Sequence, residues 1–301
     1  TSVGIAYVDD HVTDAHEALR NADTAMYRAK NSGKGRVAIF DQTMHEDVVA
    51  RMEMEDQLRR ALANESFALN YQPIINLAKG TVQGVEVLIR WTAENGRNVS
   101  PSEFFPLIEE IGIISRDGEM VLENAMRNFI ELDEIDLDMF EQDIYLGVNV
   151  SQRQLSDPFF VDHLELIVEK TGFDRKRLKL EMNESSNSRD GEQALENMLC
   201  LHDSGIGIQI DDFGKGQSSL TCFQAYPIEA VKIDRSFTAS IASDHSHSVI
   251  AQAIVQLAHH LNARIVAEGV ESEVQLQSLR HWGCDSAQDR KSTRLNSSHR
   301  C

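Results

Sequence analysis

The sequence has no apolar run of membrane length, few cysteines and no excess of positive charge. No apolar stretch reaches the roughly 20 residues that a membrane-spanning helix needs, so we expect no membrane contact from this segment. The cysteines show neither close pairing nor metal-type spacing, which favours a reduced, cytoplasmic setting; they are Cys200, Cys222, Cys284 and Cys301. A formal net charge of −19 over 301 residues argues against a binder of nucleic-acid polymers or anionic membranes, because such binding would need local basic pockets.

Both ends of the sequence suggest a piece of a longer protein. The chain opens TSVGIAYVDD, with no initiator Met and no signal peptide, and we expect an internal fragment. Residues 289–301 read DRKSTRLNSSHRC, and 289–299 match the translation of a common sequencing adapter letter for letter. We therefore expect 289–301 to be a non-native tail and set it aside when the fold is considered.

Strand-like and helix-like patterns alternate through most of the chain. Residues 45–66 have apolar positions at helical spacing and predict a linking helix. The strand candidates that follow are FALNYQPII, TVQGVEVLIRW, DIYLGVNVS, RLKLEMNE, GIGIQIDDFG, AVKIDRSF and ARIVAEGV. Such alternation predicts an α/β fold with a parallel sheet, either open or closed into a barrel. An eighth strand would begin near Cys284, and eight strands favour a TIM-type (β/α)8 barrel.

Acidic and amide side chains stand at the carboxyl ends of these predicted strands. They are Glu86, Asn149, Glu181, Glu184, Asp211, Asp212, Asp234, Glu268 and Glu271, with Lys232 among them. A lone acid at a strand end is most often a helix cap or a solvated loop residue, but six strand ends in succession favour one shared site at the barrel mouth. Oxygen ligands without Cys or His select Mg²⁺ or Mn²⁺ over zinc, and the adjacent Asp211 and Asp212 would let the site hold two ions.

Two basic residues in the same strands admit more than one interpretation. Lys232 lies two residues before Asp234 on the same strand face, so it either compensates the carboxylates, orients an attacking water or is a plain surface lysine. Arg90 follows Glu86 by four residues and points to the same side; it is either structural or positioned to grip a phosphate.

The motifs GVEVLIRW, GVNVS, LKLEMNE, DDFGKGQSSL, VKIDRSF and VAEGVE, preceded by YQPI and PSEFFP, resemble those of the EAL domain family over residues 67–288. The resemblance implies a barrel whose first strand runs antiparallel to the others. It also implies that one or two Mg²⁺ or Mn²⁺ ions activate a water that hydrolyses cyclic di-GMP to linear pGpG.

The resemblance also implies roles for individual residues. The first metal would be held by Glu86, Asn149, Glu181 and Asp211. Asp212 would be the residue shared with the second metal, and Asp234 would lie beside it. Lys232 and Glu268 would position or deprotonate the water. Glu268 would also belong to the metal site, and Glu86 would be catalytic as well as a metal ligand. Gln72, Arg90 and Gln288 would contact the dinucleotide. Glu184 would support the loop after the paired aspartates, and Glu271, which closes its motif, would also be loop-supporting.

Residues 1–44 resemble the C-terminal part of a GGDEF (diguanylate cyclase-like) domain, through SVGIAY and NADTAMYRAKNSGKGRVAIFD. This likeness implies a tandem GGDEF–EAL bacterial signalling protein with an upstream sensor and a homodimer formed through the EAL domain. The domain itself is then expected to be cytoplasmic, and an upstream membrane anchor is one option for the full-length protein.

Three departures from the EAL pattern leave the activity open. Lys215 stands where the family has Thr, Gln217 where it has Tyr, and Asn183 where it has Thr. The favoured interpretation is an active phosphodiesterase; the alternative is a weakened module that binds cyclic di-GMP as a receptor, and a third is an unrelated metal-dependent barrel hydrolase. Because the sequence stops at the last strand, we also expect a truncated barrel with an unpaired strand edge, which would make the chain aggregation-prone.

Overall fold

The structure is a computed structural model that describes residues 1–8, 14–31, 35–64, 66–111, 116–133, 140–183, 191–214, 226–241 and 245–289. The chain divides into two compact units, one of Thr1–Ser66 with Thr92–Val99 and one of Phe67–Trp91 with Ser100–Cys301. Among the described helices, none has both the length and the apolar character needed to span a bilayer.

The elements in chain order are β1 (Val3–Ile5), α1 (Ala15–Asn31), β2 (Val37–Ile39), α2 (Gln42–Ala63), β3 (Phe67–Asn76), β4 (Val82–Thr92), β5 (Asn98–Val99), α3 (Pro101–Ile111), α4 (Arg116–Asp133), β6 (Phe140–Val150), α5 (Gln152–Leu155), α6 (Phe160–Thr171), a 3-10 turn (Arg175–Arg177), β7 (Leu178–Asn183), α7 (Gly191–Asp203), β8 (Gly207–Phe213), β9 (Ile228–Ile233), α8 (Arg235–Ala239), α9 (His245–His260), β10 (Arg264–Val270), α10 (Glu273–Trp282) and β11 (Ser286–Asp289).

The first unit contains a small parallel sheet of β1 and β2 that packs against α1. A side chain at Gly4 would overlap the backbone of Ala22 and Met26, so glycine lets strand and helix approach closely. The helix predicted over 45–66 is observed as α2, which begins after Asp41, whose carboxylate accepts a hydrogen bond from the Met44 N–H group.

The second unit is a closed barrel of eight strands in the order β3, β11, β10, β9, β8, β7, β6 and β4, with β4 pairing back to β3. The strand β3 is antiparallel to both of its neighbours, and the remaining barrel pairs are parallel. The TIM-like barrel with an antiparallel first strand is therefore confirmed.

The expectation of an unclosed barrel with an unpaired strand edge is wrong. The four residues of β11 pair in parallel with β10 and antiparallel with β3, where Ser286, Ala287 and Gln288 face Asn76, Ile75 and Ile74. A strand this short closes the barrel because β10 pairs with all four of its residues and β3 pairs with three of them. It includes Asp289, the first residue of the expected non-native tail, whereas 290–301 lie outside the described residues.

Apolar side chains on the outside of the strands form the core beneath the helices. Val231 and Ile233 of β9 pack with Ile254 and Val255 of α9, whereas Lys232 between them points into the barrel. A second, larger cluster lies between β6, β7 and β8 and the helices α4, α6 and α7. The period-two alternation thus gives each strand an apolar outer face and leaves its inner face free for polar groups.

Inside the barrel, an apolar layer is formed by Ile74 of β3, Tyr145 of β6 and Val266 of β10. These strands are not neighbours in the sheet, so their side chains can meet only across the barrel interior. Gly84 of β4 makes room for this layer, because a Cβ atom there would lie 2.6 Å from the Tyr145 ring.

We predict that Gly84→Ala destabilises the barrel by about 1–3 kcal/mol, because the added methyl group must displace a buried ring. The matched control is Gly191→Ala at the start of α7, where an added Cβ meets no atom within 4 Å and alanine favours the helix. The measurement is the urea midpoint of unfolding followed by tryptophan fluorescence. Equal midpoints for wild type and Gly84→Ala would contradict the packing described.

Candidate functional site

Lys232 of β9 is fully buried and lies among four carboxylates. Its Nζ atom is 2.8 Å from Glu86 Oε2, 2.7 Å from Glu181 Oε2, 2.8 Å from Glu268 Oε1 and 3.5 Å from Asp211 Oδ1. These acids come from β4, β7, β10 and β8, so one ammonium joins four other strands. The interpretation of Lys232 as a plain surface lysine is therefore wrong.

Glu86 is held by amide donors as well as by Lys232. Asn149 Nδ2 donates to Oε1 over 2.7 Å, and Gln288 Nε2 donates to Oε2 over 2.7 Å. Glu86 thus has hydrogen bonds to side chains of β6, β9 and β11. Its carboxylate is fixed in one orientation and faces the barrel interior.

Glu181 is buried in a space that Gly147 leaves open. An added Cβ at Gly147 would overlap Glu181 Oε1, and that oxygen is buried and accepts no hydrogen bond within the described part of the chain. A buried carboxylate oxygen without a donor is a ready ligand for a cation. Sequence reasoning missed Gly147, although alternation along GVNV places it on the same strand face as Asn149.

The cluster contains four carboxyl groups and a single ammonium group. Burial opposes the charged form of Lys232, but the Glu181, Glu86 and Glu268 carboxylates raise its pKa well above the usual value. Burial also opposes ionisation of Glu86, yet Lys232 and the amide donors lower its pKa. Burial and the Glu86 carboxylate raise the pKa of Glu181 well above the usual range. Burial, with Asp211 and Glu86, raises the pKa of Glu268 to about 8 despite Lys232.

Two sets of three acidic side chains could each hold a metal ion. Within each set, one carboxylate oxygen per residue lies within 4.8 Å of the others, the sets being Glu86, Glu181 and Asp211, and Asp212, Asp234 and Glu268. Both donor sets consist of oxygen alone, which suits Mg²⁺ or Mn²⁺. The unpartnered Glu181 oxygen and the surplus of carboxylates fit a bound divalent cation.

The backbone at Asp212 explains how adjacent aspartates reach different sets. Asp212 has φ of 55°, in the left-handed region that non-glycine residues rarely adopt. Its N–H group donates to Asp211 Oδ1 over 2.9 Å. The turn directs Asp211 to the first set and Asp212 to the second, where Asp234 also accepts the Ser236 N–H group at the start of α8.

The other predicted residues lie at varying distances from the cluster. Gln72 faces Glu86 in the β3–β4 register, and its amide donates to the Asp289 carbonyl. Arg90 is partly buried, and burial lowers its pKa against the opposing effect of Glu86. Glu271 is exposed at the start of α10 and belongs to neither acidic set. Glu184 lies outside the described residues, as do Lys215 and Gln217.

Sequence reasoning also missed Gln209 and Tyr145, which are buried inside the barrel next to the cluster. Gln209 pairs in register with Glu181, and its Oε1 accepts no hydrogen bond from the described residues. Burial, and to a smaller extent the Glu181 carboxylate, raises the pKa of Tyr145, so this phenol stays neutral. Alternation along the strand could have indicated Gln209, since it precedes Asp211 by two residues and therefore lies on the same strand face.

The chain resembles known proteins over most of its length. A family profile described as EAL domain matches residues 55–288. The bifunctional diguanylate cyclase/cyclic di-GMP phosphodiesterase MucR of Pseudomonas aeruginosa is 36% identical over 95% of this chain and 41% of its own length. The cyclic di-GMP phosphodiesterase PdeR of Escherichia coli is 32% identical over 90% of this chain and 40% of its own length. The chain thus spans about 40% of these relatives.

Solved structures share the fold at comparable identity. The PaMucR phosphodiesterase in complex with c-di-GMP is 36% identical with a TM-score of 0.72, covering 79% of this chain and 94% of that one. The EAL enzyme Bd1971 with cAMP and cyclic-di-GMP is 30% identical with a TM-score of 0.77, covering 93% of this chain and 73% of that one. On sequence, fold and the acidic barrel mouth together, the chain belongs to the EAL domain family.

Proposed function

We propose that the barrel hydrolyses cyclic di-GMP to linear pGpG with the help of one or two Mg²⁺ or Mn²⁺ ions. The observation that carries the proposal is the pair of acidic sets around Lys232. EAL domains are metal-dependent, and these acidic sets are the groups that could bind the ion. The relatives named as cyclic di-GMP phosphodiesterases and the c-di-GMP complex of the similar fold support the substrate.

A bound divalent cation would supply charge neutralisation for the phosphodiester and a more acidic water. The chain's residues would do the rest. Glu86, fixed by Asn149 and Gln288, would keep the first acidic set in place. Lys232 would hold Glu86, Glu181 and Glu268 at one centre and neutralise part of their charge.

Glu268 would act as the general base. Its carboxylate is one fifth exposed, so water can reach it, and it keeps an ion pair with Lys232. It would take a proton from the attacking water while the water oxygen bonds to phosphorus. The phosphorus–oxygen bond to one ribose 3′ oxygen would then break, and that oxygen would take up a proton to give the linear dinucleotide.

Substrate contacts are assigned to residues beside the cluster. Arg90 points to the same side of β4 as Glu86 and would face a phosphate, and Gln72 lies next to Glu86 in register and would face a base. Gln288 keeps one buried oxygen without a described hydrogen-bond partner, which leaves it an acceptor for the ligand. Glu184 and Glu271 would act as loop-supporting residues.

We further propose that residues 1–44 are the C-terminal part of a GGDEF domain, that 45–66 link it to the barrel, and that 289–301 are non-native. The small β1–α1–β2 unit and the name of the bifunctional relative support the first assignment. A homodimer through the barrel, an upstream sensor and a cytoplasmic site of action complete this proposal. Light scattering on the purified chain, which should give twice the chain mass, tests the dimer.

We predict that Glu86→Gln abolishes hydrolysis, lowering single-turnover rates by at least about 100-fold, because it removes a charge that both Lys232 and the cation need. The matched control is Glu165→Gln on α6, whose carboxylate pairs with Arg175 outside the cluster. The measurement is conversion of cyclic di-GMP to pGpG with Mg²⁺ or Mn²⁺. Wild-type protein that binds cyclic di-GMP without product would instead establish the receptor alternative.

Replacing Mg²⁺ by Ca²⁺ should leave cyclic di-GMP binding intact and suppress turnover. Ca²⁺ accepts a larger and looser oxygen shell, so it can neutralise the acidic sets without the tight geometry that the reaction needs. Binding is measured by calorimetry and turnover by product analysis on the same sample. Equal turnover with both ions would contradict a role for precise cation geometry.

Without metal, stability should fall as the pH rises from about 4.5 to about 8. Glu268 has a folded-state pKa of about 8 against 4.5 for the free carboxyl group, so folding takes up a proton between these values and rising pH favours the unfolded chain. Glu268→Gln should therefore raise the melting temperature at pH 9 and leave it unchanged near pH 4. A variant that is less stable than wild type at pH 9 would contradict the assignment, and Glu165→Gln is again the control.

A further inference from the structure

Glu268 lies at the last regular position of β10, directly before an irregularity in the strand. Its partner in β11 is Gln288, and the next pair joins Val270 to Asp289. The register therefore skips Gly269, which makes this residue a β-bulge. A bulge bends the strand and changes the direction of the side chains beside it. The position of Glu268 in the barrel mouth thus depends on the few residues that follow it.

The backbone of the bulge is packed closely against the start of α8. Gly269 has a φ of 67°, in the left-handed region that favours glycine. A Cβ atom at this position would lie 2.6 Å from the Cβ atom of Arg235, the residue that follows Asp234. Glu268 and Asp234 belong to the same acidic set, so the spacing of these two acids depends on where the bulge lies.

The chain after the bulge is held by the side chain of Gln275, in the first turn of α10. Gln275 Oε1 accepts hydrogen bonds from the N–H groups of Glu271, over 2.7 Å, and of Ser272, over 2.9 Å. The Gln275 side chain is buried, which restricts its movement. The bond to the Ser272 N–H group belongs to the capping box of α10, in which the Gln275 N–H group donates to Ser272 Oγ over 3.3 Å. The bond to Glu271 is additional and lies three residues after Glu268.

A second capping box in the same barrel shows what Gln275 adds. Ser151 and Gln154 form the same Ser-x-x-Gln pair at the start of α5, and Gln154 Oε1 accepts the Ser151 N–H group over 2.9 Å. Within the described residues, this oxygen accepts hydrogen bonds only from its cap residue. Gln275 reaches one residue further toward its strand, so it fixes the strand end as well as the helix.

We propose that Gln275 is a positioning residue, which acts through the backbone of Glu271 and the bulge to hold Glu268 in the barrel mouth. There Glu268 pairs with Lys232 and completes the second acidic set. Without the Gln275 oxygen, two backbone N–H groups lose their acceptor and the segment after Glu268 is free to shift. A small displacement of a group that takes part in the reaction slows it strongly. The expected effect on turnover rests on the proposed function, whereas the expected effect on cation binding does not.

The experiment compares variants of the full chain at the two ends of the capping box. Gln275→Met keeps a side chain of similar size and removes the acceptor, whereas Gln275→Glu keeps an acceptor oxygen. Ser272→Ala is the matched control, because it removes only the bond on the helix side of the box. The measurements are Mn²⁺ affinity by calorimetry without substrate, the single-turnover rate of cyclic di-GMP hydrolysis, and the Kd of cyclic di-GMP at saturating Mn²⁺.

Gln275→Met should lower both the Mn²⁺ affinity and the single-turnover rate by at least about tenfold, because residues that orient the groups of a metal site have effects of this size. The Kd of cyclic di-GMP should stay close to that of the wild type, since Gln275 does not face the ligand in this account. Gln275→Glu should restore both lost properties, and Ser272→Ala should retain them. Melting curves accompany each variant, and Gln275→Ala is made alongside as a second way of removing the acceptor.

Variants without the acceptor that match the wild type in Mn²⁺ affinity and turnover would overturn the proposal. Equal losses in Ser272→Ala and Gln275→Met would also overturn it, because capping of α10 would then account for the whole effect. A wild type that binds Mn²⁺ but forms no pGpG would contradict the proposed function alone, since Mn²⁺ affinity still tests Gln275. A wild type that binds no Mn²⁺ would overturn both.

Discussion

The buried ammonium of Lys232 is the interaction on which the barrel interior depends. Burying four carboxylates in one place is costly unless cations and hydrogen-bond donors lie among them. Lys232 donates to side chains from three strands and lies close to a fourth, and amides of two further strands complete the coordination of Glu86. One positive charge is too few for the acids present, and a bound metal ion would offset this deficit.

The same strands stabilise the fold and present the site because their two faces differ. Val231 and Ile233 bury apolar surface under α9, while Lys232 between them points into the barrel and pairs with the carboxylates there. Glycines then decide where polar groups have room, as Gly147 does for Glu181 and Gly207 for the Lys179–Glu229 pair. Along β7, Lys179 thus pairs with Glu229, and Glu181, two residues later, belongs to the carboxylate cluster.

Much of this arrangement could be predicted from the sequence. The strand–helix alternation and the acids at successive strand ends predicted a barrel with one acidic mouth, and the structure brings Glu86, Glu181, Asp211 and Glu268 together there. The antiparallel direction of β3 was predicted from the family resemblance alone, since the alternation of strands and helices does not give strand direction. The sequence wrongly predicted an unclosed barrel, because the four residues of β11 carry too weak a pattern to show that the strand has two pairing partners.

Other features depend on register and backbone geometry, which the sequence does not display. The placement of Gly147 against Glu181 requires knowing how β6 and β7 align, and the split of Asp211 and Asp212 between two acidic sets requires the left-handed backbone at Asp212.

The most direct test of the central claim is the thermal stability of Lys232→Met with and without Mn²⁺ at pH 8. If Lys232 offsets the carboxylates, the metal-free variant should melt well below wild type, and Mn²⁺ should raise its melting temperature by more than it raises that of wild type. A metal-free variant as stable as wild type, with the same response to Mn²⁺, would contradict the claim that this one charge holds the barrel interior together.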